Sequence, residues 1–179
     1  MSSRFERIAS EIAYEGGFFT VSRDTFRHED GAAVEREIVR HPGAVGIVVL
    51  DGDRLWLVRQ PREAVGSPDL LELPAGKLDE EGESPLDTAR RELAEEIGKQ
   101  AASWEPLGSF YTSPGFTDEE VHLFLATGIS DVDERPAVHE DERIDVEVRP
   151  LGDLDAILTE TRDSKTLIGL QALRARLSR

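Results

Sequence analysis

Along the first forty residues apolar and polar positions alternate, which is the two-residue period of a half-buried strand. "EIAYEGGFFTVSRDTFRH" (11–28) reads as one arm, "EDGAA" as a turn, and "VEREIVRH" (34–41) as a second arm. Pro42-Gly43 interrupts the pattern and predicts a boundary, with a strand-rich segment over 1–42 and a second domain over 43–179. Past it, "AVGIVVL" is a near-continuous apolar run, the pattern of a buried strand. Asp51-Gly52 predicts a hairpin turn into "RLWLVRQ", and "LLELPAG" reads as a short strand ended by Pro74 and Gly76.

The period then changes from two to 3.6. Ser84 suits an N-cap, Pro85 the first helical position and Asp87 the reciprocal partner of the cap, while Gly98 is a natural stop. Leu86, Ala89, Leu93 and Ile97 form an apolar stripe on this predicted helix. Glu92, Glu95 and Glu96 fall on a separate polar face and are expected to be accessible. "PLGSFYTS" and "VHLFLATGI" follow as strands, then the charged loop "DERPAVHEDER" and the strand "IDVEVRP". Two helical stretches, 151–159 and 164–177, close the chain, the second carrying Leu167, Leu170, Leu173 and Leu177 at helical spacing. Strands and helices are mixed rather than strictly alternating, which predicts an α+β architecture.

Composition narrows the chemistry. The 179 residues suit one domain with a small appendage, and they carry a formal net charge of −16. Such a balance argues against a nucleic-acid partner, which needs a basic patch. It also makes an anionic substrate awkward unless a bound cation reverses the local field. Cys is absent, which excludes disulfides, thiolate metal sites and cysteine nucleophiles. The N-terminus has no apolar signal core and no apolar run reaches membrane-helix length, so the expectation is a cytoplasmic protein with no membrane partner. The four histidines, His28, His41, His122 and His139, show no ligand spacing and read as solvated.

What remains is oxygen chemistry. Like charges at i,i+4 cost an isolated helix about 0.2–0.5 kcal/mol per pair. Glu92 and Glu96, one turn apart, can instead grip one hard divalent cation; Mg²⁺ takes oxygen ligands, keeps several waters and bridges to phosphate oxygens.

"GKLDEEGESPLDTARRELAEEIGK" (76–99) resembles the Nudix box, G-x5-E-x7-R-E-U-x-E-E-x-G-U with U apolar. Glu83, Arg91-Glu92-Leu93, Glu95-Glu96 and Gly98 fall in register. Two positions depart: six residues rather than five separate Gly76 from Glu83, and the last apolar position is Lys99. The resemblance implies a Nudix fold, a mixed β-sheet between helices. It also implies Mg²⁺ as cofactor, with Mn²⁺ as the alternative ion, and metal ligands Glu92, Glu96 and the Ala75 carbonyl, with Glu95 bordering them. Glu83 and Arg91 would brace the loop against the helix, and the extra loop residue could displace Gly76.

"ELPAG" before the box, Pro114 in "TSPGF" after it, and the strand-rich N-terminus resemble the ADP-ribose pyrophosphatase branch. This branch implies cleavage of ADP-ribose to AMP and ribose 5-phosphate, a small-molecule nucleotide-sugar substrate, and a homodimer formed through the N-terminal segment. It further implies Glu140 as catalytic base, with Glu95 next in line, and Glu142 as a metal ligand. Arg36 and Arg62 would contact substrate phosphates or sugar, and Phe18 or Phe19 would stack on adenine. The alternatives are a pyrophosphatase of another nucleotide sugar and a Nudix-like ligand-sensing module without turnover.

Overall fold

A computed structural model describes residues 4–134, 136 and 143–178. The chain forms two compact units, one of residues 1–43 with 110–120, the other of 44–109 with 121–179. The described part of the first unit is built on three antiparallel strands, β1 (Phe5–Glu15), β2 (Thr20–His28) and β3 (Ala33–Arg40), in that spatial order. The sequence pattern led to two arms here; the structure has three. Gly16-Gly17 folds the first predicted arm back on itself, the Gly16 amide bonding the Phe19 carbonyl at 2.9 Å. The period of two survives such a turn, so alternation alone conceals it. The segment 110–120 lies on this sheet: the Val39 amide reaches the Phe116 carbonyl at 2.8 Å, and Val39 bridges to Thr117.

The second unit is built on a mixed sheet of β4 (Ala44–Asp51), β5 (Arg54–Arg62), β6 (Ser67–Glu72), β7 (Ala75–Lys77), β8 (Lys99–Tyr111), β9 (Glu120–Asp131) and β10 (Asp145–Pro150). The main path runs β10-β5-β4-β9-β8, with β6 added to β5 and β7 to β4. β4 pairs parallel with β9 and antiparallel with β5 and β7. The helices are α1 (Pro85–Ile97), α2 (Leu154–Glu160) and α3 (Ser164–Leu177).

β4 explains its own apolar run because both of its faces are covered. Val45, Ile47 and Val49 cluster with Ala89, Leu93 and Ile97 of α1. On the opposite face Val48 meets α3 at Gly169, where an added Cβ would come within 3.0 Å of the valine and 2.7 Å of Leu73. Each fully buried Leu, Ile or Val contributes about 1.5–3 kcal/mol. α3 buries Leu170 and Leu173, whereas Leu167 is half-buried and Leu177 is 53% exposed. The predicted leucine stripe therefore runs out one turn before the helix does.

Two further boundaries differ from the pattern. "LLELPAG" is split: β6 ends at Glu72, and β7 resumes beyond Pro74, whose carbonyl accepts from the Ile47 amide at 2.9 Å. β8 starts at Lys99, directly after the αL glycine Gly98 that stops α1 (φ 67°). The α1 start forms as its sequence predicts, with Ser84 Oγ accepting from the Asp87 amide at 3.2 Å.

Candidate active site

α1 and the β6–β7 strand end build the acidic cluster. Glu92 and Glu95 are half-buried and Glu96 is only 3% exposed, which corrects the expectation that all three are accessible. The reason lies across from the helix, where the Ala75 amide donates to Glu96 Oε2 at 3.0 Å. The same strand end is held by Leu73, whose amide donates to Thr166 Oγ1 at 2.8 Å on α3. Register places Gly76 opposite Val45 of β4. An added Cβ on Gly76 would land on the Glu92 side chain, so glycine here leaves the Glu92 carboxylate its place between strand and helix. The extra residue between Gly76 and Glu83 is accordingly absorbed in the loop, and Gly76 stays against Glu92.

Arg91 occupies the middle of the acids. Its Nε donates to Glu83 Oε1 at 3.2 Å, and its Nη1 to Glu92 Oε1 at 2.8 Å and Glu95 Oε2 at 3.1 Å. Burial works against the Arg91 cation, but Glu83 and Glu92 outweigh it and hold its pKa above the ordinary arginine range. Thr88 Oγ1 donates to Glu83 Oε2 at 3.0 Å, so the loop acid is anchored to α1 twice.

Among the described residues no three Asp, Glu or His side chains form a ready-made metal cage. The donor set still fits a hard cation of the Mg²⁺ kind, which needs only one or two carboxylates and fills its remaining positions with water and phosphate oxygens. Glu92 is confined by Gly76 and Glu96 is oriented by Ala75, and every donor is an oxygen.

A second cluster was not foreseen. Glu72 is wholly buried and receives Arg62 Nε at 2.6 Å, Arg62 Nη2 at 2.8 Å and the Lys165 ammonium. Burial alone would push the Glu72 carboxyl up; Arg62 and Lys165 outweigh it and hold it below the usual carboxylate range. The signal was present in "LLEL", a charge inside a buried apolar run, whose partner Lys165 lies too far along the chain for a local pattern to reveal. Arg62, expected to contact substrate, is thus anchored on one side by Glu72.

Arg36 and Phe19 belong to the N-terminal unit. Arg36 is exposed, with Nη1 on the Glu35 carbonyl at 2.8 Å. Phe19 is half-buried against Phe18 and Tyr14, with ring centroids 5.2 and 5.9 Å away. Within this unit Phe18, Phe19, Arg40 and His41 border a cavity of about 400 Å³. Arg40, which sequence reasoning passed over, bonds Asp118 at 3.0 Å and the fully buried Asp24. Glu140 and Glu142 lie outside the described residues.

The NUDIX domain family model matches residues 40–168. An ADP-ribose pyrophosphatase of Mycobacterium tuberculosis is 47% identical over 139 residues, covering 77% of this chain and 66% of that protein. An ADP-ribose pyrophosphatase of Bacillus subtilis is 40% identical, covering 93% of this chain and 90% of its own. A crystal structure of an ADP compounds hydrolase superposes with a TM-score of 0.85 over 98% of this chain and 95% of that chain. At 22% identity, that likeness establishes the fold. Among the described residues no helix is long and apolar enough to cross a membrane.

Proposed function

The chain belongs to the NUDIX domain family, and from that premise we infer that it is a pyrophosphatase hydrolysing the diphosphate of ADP-ribose to AMP and ribose 5-phosphate. The observation that carries this is the strand end Ala75-Gly76 closed onto Glu96 and Glu92, a preorganised set of oxygen donors in an acidic chain. The two ADP-ribose pyrophosphatase relatives, at 47% and 40% identity, support the choice of substrate.

In this reaction the oxygen of water attacks one phosphorus, the bond to the bridging oxygen breaks, and each product leaves with one phosphate. Glu92, Glu96, Glu142 and the Ala75 carbonyl would hold a divalent cation, Mg²⁺ or else Mn²⁺, which when bound would supply positive charge against the diphosphate and lower the pKa of water. Glu140 accepts the proton of the attacking water, and Glu95 is the next base in line. Arg91 keeps three carboxylates in place without spending them on solvent. Arg62 and Arg36 donate to the substrate's phosphates or sugar, an anion for which the guanidinium fork is well shaped. Phe18 or Phe19 stacks on adenine. Two copies pair through the 1–42 segment, and the enzyme works in the cytoplasm on a soluble nucleotide sugar.

Chromatography of ADP-ribose incubated with enzyme and Mg²⁺ tests the reaction. AMP and ribose 5-phosphate in equal amounts are expected, and intact substrate would refute it.

A further inference from the structure

Glu72 lies three residues before Ala75, so the cluster around it stands beside the Ala75–Glu96 contact. An isolated buried carboxylate is costly, and Glu72 is matched by two cations, Arg62 on the neighbouring strand β5 and Lys165 at the start of α3. The two cations are not equivalent. Lys165 is 12% exposed and also meets Asp163 at 3.1 Å, the residue that caps α3 by accepting from the Thr166 amide at 2.9 Å. The Arg62 side chain is 43% exposed. It spends Nε and Nη2 on Glu72, and among the described residues its Nη1 has no hydrogen-bond partner.

The charges balance only with both cations present: Arg62 and Lys165 against Glu72 and Asp163. Without Lys165, Arg62 alone would face two carboxylates, and little of its positive field would remain for another anion. The hydrogen bonds that Arg62 donates to Glu72, with the added fields of Asp163 and Glu96, keep its guanidinium above the ordinary arginine range, which agrees with its standing near the acidic cluster.

We propose that Glu72 and Lys165 are positioning residues for substrate binding: the bidentate Glu72–Arg62 pair fixes the Arg62 Nη1 edge outward as a donor to the diphosphate, and Lys165 preserves its charge by neutralising Glu72 and Asp163. The assignment rests on the diphosphate substrate proposed above. Binding energy delivered by a fixed cation to ground state and transition state alike appears in KM rather than kcat.

Lys165→Met in the full chain is expected to raise KM for ADP-ribose about tenfold, with kcat within about twofold, as for loss of roughly one charge-assisted contact. Lys165→Arg should restore most of the loss, because charge rather than shape is needed. Calorimetry with inorganic pyrophosphate at saturating Mg²⁺ reads the same anion contact whichever nucleotide sugar is cleaved, and its Kd should weaken about tenfold in parallel. Should Lys165→Met not fold, Arg62→Lys carries the test: a lysine can still pair with Glu72 but has no second edge to offer, so KM and the pyrophosphate Kd should rise while the melting temperature holds. Unchanged KM and Kd in a folded variant, or a loss confined to kcat, would overturn the proposal. A wild-type enzyme that binds pyrophosphate but spares ADP-ribose would instead overturn the substrate, leaving the pyrophosphate comparison to decide the positioning role.

Discussion

The Ala75 amide donates to Glu96 Oε2 at 3.0 Å, tying the last turn of α1 to the strand end that precedes the acidic loop. A carboxylate placed by a backbone donor does not need to search for its position when a cation arrives, which is how rigid elements preorganise a site. Glutamine can keep the contact, because its carbonyl oxygen accepts as the carboxylate does. Glu96→Gln should therefore preserve the circular dichroism spectrum and the melting temperature. It should lower kcat at saturating Mg²⁺ by at least about 10²-fold, the size expected for a lost metal contact. Near-wild-type turnover would remove Glu96 from the metal set.

Gly76 supplies a finer test of the same geometry. Its φ is not positive, so alanine is allowed by the backbone, and the only obstacle to a methyl group is the Glu92 carboxylate. That obstacle is the far end of a flexible side chain, so the carboxylate should yield rather than the fold. Gly76→Ala is expected to cost about 1 kcal/mol in stability, at the low end for overpacking. It should raise the Mg²⁺ concentration for half-maximal activity several-fold, read by metal titration. An unshifted titration curve would mean that Glu92 is no ligand.

Much of this arrangement was readable in advance, for identifiable reasons. α1 announces itself by its cap, its stripe and its stop, all local signals. β4 announces itself by apolar density, because both its faces are covered. The Gly16-Gly17 turn was hidden because alternation continues through it, and the Glu96 burial because its cause, the Ala75 amide, is 21 residues away. The Glu72 cluster joins residues 93 positions apart, beyond any helical or strand period. The TSPGF segment and the N-terminal strands looked like independent marks of one branch, yet they share a single compact unit, joined at Val39.

The acidic loop before β10 gives a pair of mutants that part ways. If Glu140 is the base, Glu140→Gln lowers kcat by about 10²–10⁴-fold with the Mg²⁺ dependence unchanged. If Glu142 is a ligand, Glu142→Gln shifts the Mg²⁺ dependence to higher concentration. A shifted metal curve in Glu140→Gln would exchange the two roles, and indifference of both would hand the base to Glu95.

Stability should depend on pH through Glu72. Its folded pKa lies below the ordinary 4.5, so the folded form binds fewer protons there than the unfolded chain. Its contribution is fully present above about pH 4.5 and is lost as pH falls through the lower, folded value. Glu72→Gln should cost about 2–3 kcal/mol at pH 7, reduced from the usual cost of breaking a buried pair because solvent screens the half-exposed Arg62. The gap to wild type should narrow on acidification below pH 4.5 in urea denaturation. A gap that stays constant or widens would contradict the assignment.

The central claim is substrate choice by a metal-assisted diphosphate hydrolase, and a kcat/KM comparison at fixed Mg²⁺ tests it most directly. ADP-ribose, GDP-mannose, ATP and 8-oxo-dGTP share the phosphate chemistry and differ in what the pocket must pair, so discrimination reports the pocket rather than the box. ADP-ribose should lead by at least about tenfold, the worth of one well-placed polar contact. A triphosphate or GDP-mannose cleaved with higher kcat/KM than ADP-ribose would contradict the account.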